Sequence, residues 1–160
     1  MKRIRLYLVI VLVLACFGQV SAQDRTYDHF FLEAMVQRQK GNNDAAFDLL
    51  RHCVELNPEA AEAWYFLAQY YNALKDQEKS QACIQKAASI APENLTYMET
   101  LAQIYISQQD YAAAIPVIEG IYERNKDRED MLEMLFQLYQ QVEDFDQAIG
   151  VLNKIEKIDG

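Results

Sequence analysis

Glycine and proline are scarce in this 160-residue chain, at five and three residues. That scarcity argues against the linkers and low-complexity tracts that separate domains, and none is found, so the chain reads as one domain. Strand-like alternations are also few, which favours an all-α chain. Histidine occurs only as His29 and His52. His52 adjoins Cys53, but neighbouring helical residues point about 100° apart, so the two cannot grip one ion, and no third ligand stands nearby. No metal or other cofactor is expected. Gly-x-Ser-x-Gly, His-Glu-x-x-His and a glycine-rich phosphate loop are all missing, as is any nucleophile with a base and an orienting acid. Acid pairs such as Glu129-Asp130 and Glu143-Asp144 fall at helix starts and turns, where the helix dipole and capping account for them. The expectation is a protein that is not an enzyme.

Basic residues are the next shortage. Lys and Arg number 15 against 24 Asp and Glu, a net charge of −9. Without residues 1–22, which hold Lys2, Arg3 and Arg5, 12 bases face 24 acids and the net charge is −12. Such a surface repels nucleic acid and anionic lipid and favours basic or mixed-charge protein partners.

The dominant positive feature is a repeat. The stretch Ala61 to Asn94 reads as two apolar helical runs joined by a polar turn and closed by Ala91-Pro92, and its pattern recurs at a spacing of 34 residues. With Ala61 as the first column, column four holds Phe30, Trp64, Met98 and Leu132. Column eight holds Ala34, Ala68, Ala102 and Phe136; column twenty, Ala46, Ser80, Ala114 and Ala148; column twenty-four, Leu50, Ile84, Ile118 and Leu152. Large residues facing small ones in register let paired helices interdigitate. Column sixteen holds Asn42, Asp76, Asp110 and Asp144, good N-caps for each second helix, and Gln147 makes a capping-box pattern with Asp144. Pro58 and Pro92 stop two of the second helices, and Pro116, inside the third, is expected to kink it. A unit this short cannot bury both its faces alone, so it must stack on its neighbours.

Trp64, Leu67, Ala68, Tyr71, Ser80, Ile84, Ala87 and Pro92 resemble the tetratricopeptide repeat family, with Ala where that family often has Gly and Ser where it usually has Ala. The resemblance implies a right-handed α-solenoid of four helix-turn-helix repeats, 27–60, 61–94, 95–128 and 129–160. The first unit departs from the pattern with Glu33 and Gln37, as a wetter terminal cap would.

Resemblance also implies that the first helices line a concave groove. Its positions here are Asp28, Phe31, Met35 and Arg38 in unit one, and Glu62, Tyr65, Gln69 and Asn72 in unit two. Unit three adds Glu99 and Gln103, and unit four Asp130, Glu133 and Gln137. Five acids then face one arginine, and Gln69, Gln103 and Gln137 form an amide row able to bond a peptide backbone. The Lys and Asn with which some family members grip a C-terminal carboxylate are absent, so a segment carrying Lys or Arg beside an apolar anchor fits better.

Ahead of the repeats, Met1 to Arg5 carries three positive charges and Leu6 to Phe17 is an apolar run of twelve, too short to span a bilayer as a stable helix. With Val20-Ser21-Ala22 it resembles a bacterial secretory signal, residues 1–22, cleaved before Gln23 and followed by a short tail at 23–26. Val13-Leu14-Ala15-Cys16 gives a rival reading, a lipobox that would lipidate Cys16 and tether the chain to the outer membrane. Either way the expected place is the periplasm or cell envelope. Cys53 and Cys83, on successive second helices with a four-residue offset, are expected too far apart for a disulfide and so free and buried. Gly160 falls at a repeat boundary, leaving Ile149, Leu152 and Ile155 partly uncovered. A fragment of a longer protein is the favoured account, and self-association through that end the second. The functional expectation is a non-catalytic scaffold or adaptor that binds a protein segment. The alternatives are an outer-membrane-tethered accessory of envelope assembly and the N-terminal regulatory part of a larger enzyme or sensor.

Overall fold

A computed structural model describes residues 25–159, and the signal-like segment and Cys16 lie outside the described residues. Among the described residues there is no strand. Eight helices follow in pairs: α1 (25–39), α2 (Asn43–Leu56), α3 (Ala61–Ala73), α4 (Gln77–Ile90), α5 (Leu95–Ser107), α6 (Tyr111–Arg124), α7 (Glu129–Gln141) and α8 (Phe145–Asp159). Each packs on the next, so the chain is an all-α helical solenoid. The first helix already runs at residue 25, two residues before the expected first unit.

The repeat columns become the core. Ala34, Ala68 and Ala102 of column eight are buried, as are Ala46, Ser80, Ala114 and Ala148 of column twenty, and these small side chains let paired helices approach closely. In column twenty-four Leu50 and Ile84 are 0 % exposed and Ile118 2 %, each sealed by the unit that follows. Ser80, the departure from the family's Ala, satisfies its hydroxyl by donating to the Ala68 carbonyl at 2.9 Å, tying α4 to α3. Trp64 is half-buried and donates its indole N–H to the Pro58 carbonyl at 2.9 Å. Cys53 and Cys83 are free and buried, and burial pushes both thiols up to about 11.

Each unit turns by the same device. Gly41, Lys75, Gln109 and Glu143 all occupy column fifteen with φ near +60° to +80°. Each donates its amide three residues back, and the next amide donates five residues back, as from Asp76 to Tyr71 and Asp110 to Tyr105 at 2.9 Å. This doubly bonded C-terminus satisfies carbonyls that the helix end would orphan. Caps then restart the chain: Asp76, Asp110 and Asp144 accept from the amides of Lys79, Ala113 and Gln147 at 3.2 Å. Two expectations are corrected. Asn42 makes no side-chain cap; its side-chain Nδ2 donates instead to Gln37 Oε1 at 2.7 Å, where the other units have Tyr71, Tyr105 and Tyr139 in that column. The reciprocal half of the Asp144–Gln147 box is not made, since the Asp144 amide is already given to the Tyr139 carbonyl at 2.9 Å. Pro116 lies inside α6, which is helical on both sides of it. Pro116 and Ala112 are both exposed, so the carbonyl that loses its partner faces water.

Three of the four turns force an L-residue into the left-handed region, at a cost of about 1–2 kcal/mol each before the entropic disadvantage of glycine is set against it. Replacing Lys75, Gln109 and Glu143 by Gly is therefore expected to stabilise the fold by roughly 0.5–1 kcal/mol per site. Urea unfolding reads this as a raised midpoint; a lowered midpoint would show that these turns hold no such strain.

Candidate protein-binding groove

The first helices bring five aromatic rings into one row. Tyr27 stacks on Phe31 (5.7 Å between centroids, 16° between planes), and Phe31 lies 6.0 Å from Phe66. Phe66 is 5.6 Å from Tyr65, which in turn lies 4.9 Å from Tyr97. The row crosses α1, α3 and α5, three successive first helices. Phe31, Tyr65 and Phe66 are half-buried, whereas Tyr27 and Tyr97 at the two ends of the row are buried in the core. Met35 is half-buried against the same core.

Polar groups border the row. The Arg38 guanidinium sits 4.6 Å above the Phe66 ring and donates to Gln69 Oε1 at 2.8 Å, a cation–π arrangement that leaves other N–H donors of its fork unused by Gln69. Glu62 accepts from Tyr27 Oη at 2.9 Å. Burial and then that carboxylate push the Tyr27 phenol far above its usual range, and burial followed by Glu62 raises Tyr97 as well. Where the row meets the α1–α2 turn a cleft of 350 Å³ opens, lined by Arg38, Asn43, Asp44, Phe47, Gln69, Tyr70, Ala73 and Leu74.

Further along, the expectation of five acids facing one arginine fails. Arg128, the last residue of unit three, turns into the groove, binding Glu99 at 2.7 Å and Asp130 at 2.8 Å. Its guanidinium lowers the Asp130 carboxyl below the usual carboxylate range. Two of the five acids thus share one guanidinium. A second cleft, of 240 Å³, opens beside the pair, with Gln103, Ile106, Met131 and Met134 among its walls.

The remaining sequence-derived positions scatter. Asp28, Gln103 and Gln137 are exposed, and Gln69 is committed to Arg38, so the amide row is not a row of free groups. Asn72 is exposed and lines a small cleft with Ile104 and Gln108, apart from the rings. Glu133 lies against Ile155 and Ile158 between α7 and α8. Sequence reasoning missed Tyr27, Phe66, Tyr97 and Arg128. Their columns lie outside those that the family's groove uses, and the aromatic residues crowding 64–66 and 70–71 were the one available signal.

A stack of helical hairpins with a ring-lined face defines a repeat scaffold for protein–protein interaction. Two sequence profiles of the tetratricopeptide repeat match, one over residues 30–59 and 61–94 and the other over 98–132, and the chain belongs to the tetratricopeptide repeat family. Human tetratricopeptide repeat protein 21B is 46% identical over 55 residues, covering 34% of this chain and 4% of that protein, so the chain spans a small part of that relative's length. Among solved structures, the chain resembles one of Naa15/Naa10 bound to HypK-THB, with a TM-score of 0.73, 18% identity and coverage of 88% of this chain and 21% of that one. It also resembles MamA, at a TM-score of 0.64 and 17% identity, covering 86% and 75%. YrrB, a TPR protein described as having an unusual peptide-binding site, matches at 0.63 and 16%, covering 80% and 66%. At these identities the likeness is one of fold.

Three phenols have an altered proton affinity, and this gives a pH dependence. Burial and Glu119 hold Tyr139 up to about 12, and Tyr27 and Tyr97 are raised likewise. A folded-state pKa above the unfolded value of about 10 contributes stability that is complete below pH ~10 and lost as pH rises through the folded value. The urea midpoint is expected to fall from pH ~10 upward, and less steeply in a Tyr27→Phe, Tyr139→Phe variant. Identical slopes for the two proteins would overturn this assignment.

Proposed function

We propose that this chain is a non-catalytic adaptor that holds a segment of a partner protein against the ring row of α1, α3 and α5. The observation that carries the reading is the half-buried Phe31, Tyr65 and Phe66 at the centre of that row, held between the buried rings of Tyr27 and Tyr97 and bordered by Arg38 and Glu62. Half-buried aromatics on a preformed face supply contact area with little conformational entropy left to lose, which is why they dominate binding energies. The segment carries an apolar or aromatic anchor for the rings. Beside it stands Lys or Arg for the Asp28 and Glu62 side, and the net charge of −9 favours encounter with such a segment over nucleic acid. The peptide-binding site named for YrrB, and the HypK-THB bound to Naa15/Naa10, support a protein or peptide ligand for this fold.

The charged start, twelve-residue apolar run and Val20-Ser21-Ala22 of the N-terminal segment support export to the periplasm or cell envelope. Cys16 offers the alternative, a lipid tether to the outer membrane. Lipid labelling abolished by Cys16→Ser would mark the tethered form; a soluble chain shortened at Gln23, with no label, would mark simple export.

The groove is tested by cross-linked capture from envelope extracts, using wild type beside Tyr65→Ala and Glu62→Lys. A protein retained by wild type is expected to bind Tyr65→Ala about 30-fold more weakly, the effect of losing one aromatic hot spot of about 2 kcal/mol. Circular dichroism should be unchanged in both variants. Equal retention of the same proteins by all three would overturn the reading.

A further inference from the structure

We infer that the Glu62 end of α3 is a subsite for an arginine of the bound segment, its guanidinium lying against the Tyr65 ring and bonding the Glu62 carboxylate. The inference names the cation in the adaptor reading above and rests on that reading. It starts from a stripe on α3. Glu62, Tyr65, Phe66 and Gln69 stand at i, i+3, i+4 and i+7 and so share one face of the helix. Two rings occupy the middle of the stripe, with a carboxylate at one end and an amide at the other.

The amide end already holds a guanidinium. Arg38 reaches over from α1, sets its guanidinium 4.6 Å from the centre of the Phe66 ring and donates to Gln69 Oε1 at 2.8 Å. The acceptor there is neutral and stands one turn beyond the ring. At the other end the pattern is the same with a stronger acceptor, since the Glu62 carboxylate stands one turn before Tyr65. Among the described residues, however, no Lys, Arg or His pairs with Glu62. The Tyr27 phenol donates to its Oε1 at 2.9 Å, which leaves Oε2 for another donor. Glu62 and Tyr65 are both half-buried, so each keeps an accessible part.

Charge and shape then select the occupant. The Glu62 charge is felt by its neighbours: after burial, the larger cause, it raises the phenols of both Tyr27 and Tyr97. Asp28 adds a second negative charge near Tyr27. A cation brought to this end meets a carboxylate partly withdrawn from water, where a charge-assisted hydrogen bond is strong. A guanidinium suits the place better than an ammonium. It is planar and weakly hydrated, so it can lie on a ring while its edge reaches a carboxylate, whereas the lysine head is a compact, strongly hydrated point charge. Arg38 on Phe66 shows that geometry in the same stripe. Other acids of the groove do not repeat it, because Glu99 and Asp130 share Arg128 and Glu133 lies against Ile155 and Ile158.

A random dodecapeptide library displayed on phage, selected on the full chain and counter-selected on Tyr65→Ala, tests this. Peptides that need Tyr65 are expected to carry Arg beside an apolar or aromatic residue. One of them is then made with Lys or citrulline, the uncharged isostere, in place of that Arg and titrated by fluorescence anisotropy. Binding is expected to weaken about tenfold with citrulline and about threefold with Lys. In Glu62→Gln, which keeps an acceptor for Tyr27, the difference between Arg and citrulline should shrink below about twofold. Glu156→Gln removes the same charge from an exposed site on α8 and should leave that difference unchanged. Tyr65-dependent peptides without Arg, Lys binding as tightly as Arg, a preference that survives Glu62→Gln, or one lost equally in Glu156→Gln would each overturn the subsite and leave the adaptor reading standing. A library that yields no Tyr65-dependent peptide would overturn both.

Discussion

A single seam, repeated from unit to unit, holds this molecule together. Each hairpin has two apolar faces and can bury only one by pairing its own helices, so the second has to be covered by the next hairpin. Ordering a residue costs roughly 1–2 kcal/mol of backbone entropy, and an isolated hairpin could not offset that from one buried face. Ala34, Ala68 and Ala102 against Ala46, Ser80 and Ala114 make the approach within a unit close; Leu50, Ile84 and Ile118 then fill the space between units. The stability is accordingly of nearest-neighbour type, because among the described residues the main packing is between helices adjacent in sequence.

The seam also sets the site. Stacking in constant register puts successive first helices side by side, which is why Phe31, Phe66, Tyr65 and Tyr97, drawn from three helices, can form one row. It further explains why the groove changes character along its length. The fourth unit offers Glu133 and Gln137 where earlier ones offer rings, and between them Arg128 bridges Glu99 and Asp130. For the binding proposed above, an apolar anchor would be favoured at one end and displacement of an ion pair needed further along, so a bound segment would have a direction.

Much of this was legible in the sequence. A 34-residue period with large and small residues in fixed columns admits few architectures, and the family resemblance follows the same columns. The turns were not legible, because only Gly41 among the four column-fifteen residues announces a positive φ; Lys75, Gln109 and Glu143 adopt it because two backbone hydrogen bonds at each turn hold them there. Ring contacts were hidden for another reason. Phe66 and Tyr97 stand in columns six and three, positions that serve packing in a generic repeat and reach the groove only through neighbours of this size. Arg128 stands at a repeat boundary, outside the columns that the resemblance implies for the groove, and only the fold shows it within reach of two carboxylates.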